Sequence, residues 1–133
     1  MNKHKYDNFV KALGNLMTGA KKEPPYSLLE ETGMVGLFEI CFEQAWKLMK
    51  ASLELQGRNL DKIASPRGII KIAYQCGMID DEEGWLNLLK RRNLLAHTYN
   101  DEDILPVIEE IRNSFLPLFV ALQRETETNW LEE

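Results

Sequence analysis

The stretch from Trp85 to Tyr99 places the strongest constraint on how this chain can fold. Its apolar residues recur at intervals of three and four positions, a spacing that builds one apolar stripe along an α-helix. The members of this stripe are Trp85, Leu88, Leu89, Leu95, Ala96 and Tyr99. Arg92 lies in the middle of the stripe. Because an unpaired buried charge is costly, the Arg92 guanidinium must either have a partner or face a solvated cleft.

Three further polar groups lie on the same predicted helix as Arg92. At about 100° and 1.5 Å per residue, His97 lies roughly 140° around the helix from Arg92 and about 7.5 Å along it. Asn93 lies one turn before His97, and Tyr99 lies two turns after Arg92 on nearly the same line. One helix end therefore carries a permanent cation, a group that titrates near neutral pH, an amide and a phenol.

Each of these residues also has an ordinary structural interpretation. An arginine near a helix C-terminus commonly interacts with the helix dipole or extends to solvent, and a tyrosine commonly closes an apolar stripe. Glu39, Glu43 and Lys47 lie one turn apart and are typical of surface ion pairs. The functional alternative is that a carboxylate such as Glu39 pairs with Arg92 and poises it.

The rest of the chain is predicted to form helices separated by proline and glycine. A first helix is expected to end at Gly19, before the helix-breaking pair Pro24-Pro25. A second is expected from about residue 27 to about residue 56, with weak helix propensity around Gly33 and Gly36.

The second half of the chain continues the same pattern. Ser65 and Pro66 predict the start of a short third helix that ends at Gly77. The fourth helix carries the stripe described above. The fifth contains Pro117, where we expect a kink because proline lacks the backbone donor.

These elements predict an all-α fold. No stretch shows a two-residue alternation rich in β-branched residues, so strands are not expected. The architecture is an up-and-down bundle of four main helices with one short extra helix. We expect a single domain over residues 1–133. The wide apolar stripe on the fourth helix also favours pairing with a second copy of the chain.

The charge balance limits how much nucleic acid the chain can contact. Its net charge is −5, whereas a nucleic-acid-binding protein usually has a basic face. The concentrated basic run is Lys90, Arg91 and Arg92. We therefore expect any contact with RNA to be local and to use these residues.

Composition also bears on cofactors and location. The two histidines and two cysteines do not form a zinc set, so we expect metal-independent chemistry without a cofactor. Cys41 and Cys76 fall within helical apolar patterns and are predicted to be core residues. No segment approaches the roughly 20 apolar residues of a membrane span, and the N-terminus does not resemble a signal peptide. We expect a cytoplasmic protein without membrane contact.

The motif on the fourth helix resembles that of the HEPN superfamily, R-x-x-x-x-H with a polar residue after the arginine. Here these positions are Arg92, Asn93 and His97. With Tyr99 the pattern becomes R-x-x-x-x-H-x-Y, which resembles the HepT toxins and the related nucleotidyltransferase substrate-binding subunits. The order and approximate spacing of that subfamily extend from about Tyr6 to about Leu122. They include Phe38-Glu39, Phe42-Glu43-x-Ala45-Trp46-Lys47, Ser65-Pro66-Arg67, Gly77-Met78-Ile79-Asp80 and Trp85.

The resemblance implies a HEPN-like helical domain that forms a twofold homodimer with two motifs facing one cleft. In such a dimer, Arg92 and His97 would be catalytic for RNA cleavage. Asn93, with Arg91 and Lys90, would contact the RNA substrate. Similarity to the HepT toxins also implies that Tyr99 is the hydroxyl to which a partner, a minimal nucleotidyltransferase antitoxin, adds AMP.

Three functions are compatible with these residues. The first is a ribonuclease toxin paired with an AMP-transferring antitoxin. The second is a non-catalytic substrate-binding subunit of a two-component minimal nucleotidyltransferase, which the acidic net charge favours. The third is a plain helical dimer that acts as a scaffold. Intact Arg92, Asn93, His97 and Tyr99 favour the first, because a binding role alone does not require all four residues together.

Overall fold

In a computed structural model of the chain, residues 2–60, 65–97 and 104–132 are described, with the backbone alone at residues 96 and 97. Two predicted site groups, Tyr99 and the His97 side chain, therefore lie outside the described residues. The helices are α1 (Lys3–Ala20), α2 (Leu28–Glu54), α3 (Pro66–Gln75), α4 (Glu82–His97), α5 (Ile104–Glu110) and α6 (Leu116–Asn129), with a π-helical segment, Ile111–Phe115, joining α5 to α6. No strand occurs in the described residues, so the all-α class is confirmed for them.

The start of α2 is fixed by reciprocal capping. The Glu30 backbone N–H donates to Ser27 Oγ at 3.1 Å, and the Ser27 N–H donates to Glu30 Oε1 at 2.9 Å. These two bonds satisfy donors that have no partner within the first helical turn. The helix then runs without interruption through Gly33 and Gly36, because neighbours such as Phe38 bury its inner face.

Gly19 allows α1 to pack closely against α2, and it does not end α1. The helix continues to Ala20, one residue beyond the predicted end. A Cβ atom at Gly19 would lie 3.0 Å from Leu37 Cδ1 and 3.4 Å from Met34 Sδ. The glycine therefore allows the two helices to approach closely.

The predicted limits of α3 are confirmed. Ser65 is the N-cap, accepting from the Gly68 N–H at 3.2 Å, and Pro66 occupies the first turn. Gly77 follows the helix with φ of +79°, a left-handed conformation that favours glycine. Because the turn after it is short, α4 begins close to the end of α3.

A π-helical segment accommodates Pro117 in the last helical stretch. The π-helical segment Ile111–Phe115 ends just before it, and Pro117 lies in the first turn of α6. The proline lacks the N–H that a regular α-helix would use to bond the carbonyl four residues earlier. A π-helical turn inserts one extra residue at that point, so the chain continues as helix on both sides.

Aromatic packing in the core fixes the position of α4. Trp85 is 2% exposed, and its ring lies edge-on to Phe119 of α6 with 5.6 Å between centroids. Phe38 of α2 stacks on Phe115 at 5.6 Å. Removing a buried side chain as large as Trp85 would cost about 3–5 kcal/mol. The core therefore sets which face of α4 points outward.

The two cysteines differ in burial. Cys41 is fully buried in α2, and this burial raises the pKa of its thiol. Cys76, at the end of α3, is partly buried against the core. In the part of the chain that the structure describes, no helix is both long and apolar enough to cross a membrane.

Candidate functional site

The capped first turn of α4 sets where the helix begins, and its apolar stripe sets which face is buried. The Gly84 N–H donates to Asp81 Oδ1 at 2.8 Å, which caps the helix before the acidic pair Glu82 and Glu83. Four members of the predicted stripe, Trp85, Leu88, Leu89 and Leu95, are buried, as the sequence predicted. This orientation places Arg92 at the edge of the core, where its side chain is 31% exposed.

Arg92 has three defined contacts. Its Nη2 donates to Glu43 Oε2 at 3.2 Å, and its Nη1 donates to Asn93 Oδ1 at 3.1 Å. The Cζ atom lies 5.7 Å from the centre of the Phe42 ring, within the range of a cation–π contact. The guanidinium is therefore held in one place while part of it still reaches solvent.

The carboxylate that pairs with Arg92 is Glu43, one turn along α2 from Glu39. The alternative in which a carboxylate pairs with Arg92 is confirmed, but the carboxylate named as its example, Glu39, is wrong. Sequence spacing puts both residues on the same face of α2, but α4 approaches that helix at Phe42 and Glu43. Glu43 Oε1 also lies 3.8 Å from Lys47 Nζ, so the surface ion pair that the sequence predicted is present as well.

The Arg92–Glu43 pair orients the guanidinium more than it stabilises the fold. Both side chains are about one third exposed. Solvent screening limits such a pair to about 1 kcal/mol or less. A guanidinium has five N–H donors, and these contacts leave several of them available to an incoming anion.

The neighbouring cations have different surroundings. Arg91 Nε donates to Glu110 Oε1 at 2.6 Å and so ties α4 to α5. Lys90 and Arg67 have no ion pair within the described residues. Lys90, Arg67 and Asn93 line a groove of about 520 Å³ between α3 and α4. The full lining is Arg67, Glu83, Leu86, Asn87, Leu89, Lys90, Asn93 and Leu94.

The structure places some of the predicted site residues close together, and others lie outside the described residues. Arg92 and Asn93 touch, and Lys90 lies beside Asn93 on the groove. His97 is the last residue of α4, but the position of its ring and the whole of Tyr99 lie outside the described residues. Among the described residues, no group of three or more His, Cys, Asp or Glu side chains is arranged to hold a metal ion.

Besides Glu43, two residues that lie at or beside the motif were not assigned a role there from sequence. Phe42 is one, since its ring could be placed only in the core from its apolar spacing. Arg67 is the other, and it reaches the site from α3. The signal that could have found Arg67 is the short α3–α4 turn, because a short connection makes two helices neighbours.

Comparison with known proteins gives three similarities over most of the chain. A model of the family described as nucleotidyltransferase substrate binding protein like matches residues 4–128. The probable ribonuclease HepT of Haemophilus influenzae is 27% identical over 108 residues, which are 77% of this chain and 74% of that protein. A crystal structure from Thermus thermophilus matches with a TM-score of 0.73 and 28% identity, over 93% of this chain and 99% of the other. The family match includes the whole of α4.

Proposed function

Because this chain belongs to the nucleotidyltransferase substrate binding protein like family and is similar to a probable ribonuclease HepT, we propose that it is a HepT-like toxin. Its activity is metal-independent endoribonucleolytic cleavage at a site formed across a twofold homodimer. The proposal rests on the orientation and exposure of the Arg92 side chain. Its guanidinium is oriented on three sides, partly exposed, and joined through Asn93 to an open groove.

The reaction uses two imidazoles and two guanidinium groups. One His97 removes the proton from a ribose 2′-hydroxyl, and the oxygen attacks the adjacent phosphorus. The bond from phosphorus to the 5′ oxygen breaks, and the second His97 protonates that leaving oxygen. The products are a 2′,3′-cyclic phosphate and a 5′-hydroxyl. Arg92 donates to the phosphate oxygens as negative charge develops on them.

This division of roles explains why two copies are needed. The chain has two histidines, and His4 lies on α1 rather than on α4. One chain therefore brings a single histidine to the motif. A twofold dimer that places two α4 helices face to face supplies both the acid and the base.

The ribonuclease activity is silenced when a minimal nucleotidyltransferase antitoxin modifies Tyr99. The tyrosine oxygen attacks the α-phosphorus of ATP, the tyrosine loses its proton, and pyrophosphate leaves. The attached AMP adds bulk and negative charge two positions after His97 in the sequence. That charge competes with RNA phosphate for Arg92.

A cleavage assay with purified protein tests the proposal. The chain is incubated with single-stranded RNA in the presence of EDTA, beside its Arg92→Ala, His97→Ala and His4→Ala variants. The unmutated chain and His4→Ala should produce cyclic-phosphate ends, whereas Arg92→Ala and His97→Ala should be at least about 100-fold slower. Equal cleavage by the His97→Ala variant would overturn the proposal.

A second function has its own support. Arg91 and Arg92 both pair with carboxylates of the same chain, so the charge of two of the three cations in the basic run is partly neutralised, and the net charge of the chain is −5. These features favour a non-catalytic substrate-binding subunit of a two-component minimal nucleotidyltransferase. That function predicts stable association with the nucleotidyltransferase, nucleotide binding and no RNA cleavage by the purified dimer.

A further inference from the structure

We propose that the groove between α3 and α4 is a subsite for one nucleotide of single-stranded RNA beside the scissile phosphate. In it, Arg67 and Lys90 bind backbone phosphate while Glu83 and Asn87 bind the base. The inference rests on the proposed ribonuclease function and specifies which part of the substrate lies next to the site.

The groove lies directly beside the candidate catalytic arginine. Asn93 accepts a hydrogen bond from Arg92 and also lines the groove, so the groove begins where the candidate catalytic arginine is held. Glu83, Asn87 and Lys90 follow at helical spacing on the same side of α4. A volume of about 520 Å³ is within the range of small-ligand pockets and is adequate for one nucleotide.

The cations of the groove differ from the motif arginines in their ion pairing. Arg67 on α3 and Lys90 on α4 have no ion pair within the described ranges, whereas Arg91 and Arg92 pair with carboxylates. In a chain with a net charge of −5, two unpaired cations lining one groove indicate an anionic ligand. A phosphodiester fits, because it accepts several hydrogen bonds from Arg and Lys.

The lining of the groove is partly apolar. Leu86, Leu89 and Leu94 supply an apolar surface, and Leu94 is 46% exposed. An inorganic anion would gain nothing from this surface. A ribose and a base would cover it, and unstacked bases are what proteins read in single-stranded RNA.

The polarity of the groove gives the orientation of the nucleotide and a base preference. Glu83 lies at the end away from Arg92 and repels phosphate, so phosphate binds toward Lys90 and Asn93 and the base lies toward Glu83 and Asn87. A carboxylate only accepts hydrogen bonds. Guanine offers it two adjacent donors, the N1–H and the 2-amino group, whereas uracil offers a single N3–H. The subsite should therefore favour guanine over uracil.

The test is equilibrium binding, measured in the His97→Ala background so that cleavage does not consume the probe. Fluorescence anisotropy compares a labelled oligouridylate with the same oligomer carrying one guanosine. Arg67→Ala should weaken binding of both probes by about tenfold, as expected for the loss of one charge-assisted phosphate contact. Glu83→Gln should remove the preference for the guanosine probe. Lys71→Ala, one turn along α3 and outside the groove lining, is the matched control and should change affinity less than about twofold.

The outcomes separate the two proposals. If both probes bind but Arg67→Ala and Glu83→Gln behave like Lys71→Ala, the subsite is wrong and the ribonuclease proposal stands. If neither probe binds while thermal unfolding shows a folded protein, RNA is not the ligand and both proposals fail. A tenfold loss in Arg67→Ala together with loss of guanosine preference in Glu83→Gln supports the subsite.

Discussion

The Arg92 guanidinium of α4 is paired with the Glu43 carboxylate of α2, with 3.2 Å between Nη2 and Oε2. This contact joins two residues that are 49 positions apart in sequence. It holds the motif arginine at the edge of the core, where its side chain is still partly exposed to solvent. If the chain cleaves RNA as proposed, Glu43 also competes with RNA phosphate for the same donors. It therefore has two opposite effects on a ribonuclease, which a substitution can separate.

Glu43→Gln should lower both kcat and KM for RNA cleavage. Without the negative charge, Arg92 binds phosphate more readily, but it is less well oriented, and we expect kcat to fall by about tenfold. Steady-state kinetics on a single RNA substrate measure both constants. Glu39→Gln, one turn earlier on α2, is the matched control and should leave both unchanged. A fall in thermal stability without any change in kcat or KM would mean that the pair is only structural.

Lys90 and Arg91 should differ although they are adjacent. Lys90 faces the groove, whereas Arg91 is bound to Glu110 at 2.6 Å. Lys90→Ala should weaken RNA binding and reduce the dependence of log K on log salt by about one. Arg91→Ala should leave that slope unchanged and lower the free energy of unfolding by up to about 1 kcal/mol. Binding titrations at several salt concentrations decide the matter, and the reverse result would assign the RNA contact to Arg91.

The capping box of α2 should give a pH-dependent contribution to stability. The hydrogen bond from the Ser27 N–H holds the pKa of Glu30 below its ordinary value of 4.5. A lowered pKa in the folded state stabilises the fold above pH 4.5, and this stabilisation is lost as pH falls through the lowered pKa. The difference in unfolding free energy between the unmutated chain and Glu30→Gln should therefore shrink as pH falls below 4.5.

A second substitution tests the same cap without titration. Ser27→Ala removes the acceptor of the Glu30 N–H and should cost about 1 kcal/mol at neutral pH. Denaturant unfolding followed by circular dichroism measures it. An unchanged unfolding free energy would show that the remaining contacts of α2 determine its start without the cap.

Tyr99→Phe should abolish AMP transfer by the partner nucleotidyltransferase and leave RNA cleavage intact. The measurement is intact-protein mass after incubation with the partner and ATP, followed by the cleavage assay. Tyr74→Phe is the matched control, because Tyr74 is an exposed tyrosine on α3 at 45% accessibility. Continued AMP transfer to Tyr99→Phe would place the modified residue elsewhere.

The sequence predicts the elements of this fold well because local chemistry determines them. The Ser65-Pro66 start of α3 and the Gly77 end are set by capping and by a left-handed backbone conformation, both of which depend on residue type. The buried stripe from Trp85 to Leu95 follows from helical periodicity. Pro117 predicts an interruption, but only the packed structure selects a π-helical segment over a simple kink.

The site could be predicted only in part because it depends on how helices cross. Periodicity places Glu39 and Glu43 on one face of α2, and it cannot say which turn meets Arg92. Arg67 reaches the groove because α3 and α4 are packed side by side. The short turn between them predicts that the two helices are neighbours, but it does not say which residue of α3 faces α4. The different surroundings of Lys90 and Arg91 likewise depend on the position of Glu110 across the interface with α5.

Controlled expression in a bacterial host tests the proposed ribonuclease function. The unmutated chain, Arg92→Ala, His97→Ala and His4→Ala are each induced without the nucleotidyltransferase partner, and growth and RNA integrity are followed together. We expect the unmutated chain and His4→Ala to stop growth and degrade RNA, while Arg92→Ala and His97→Ala do neither at equal protein levels. Normal growth and intact RNA with all four folded, dimeric proteins would contradict the ribonuclease function and favour the substrate-binding subunit.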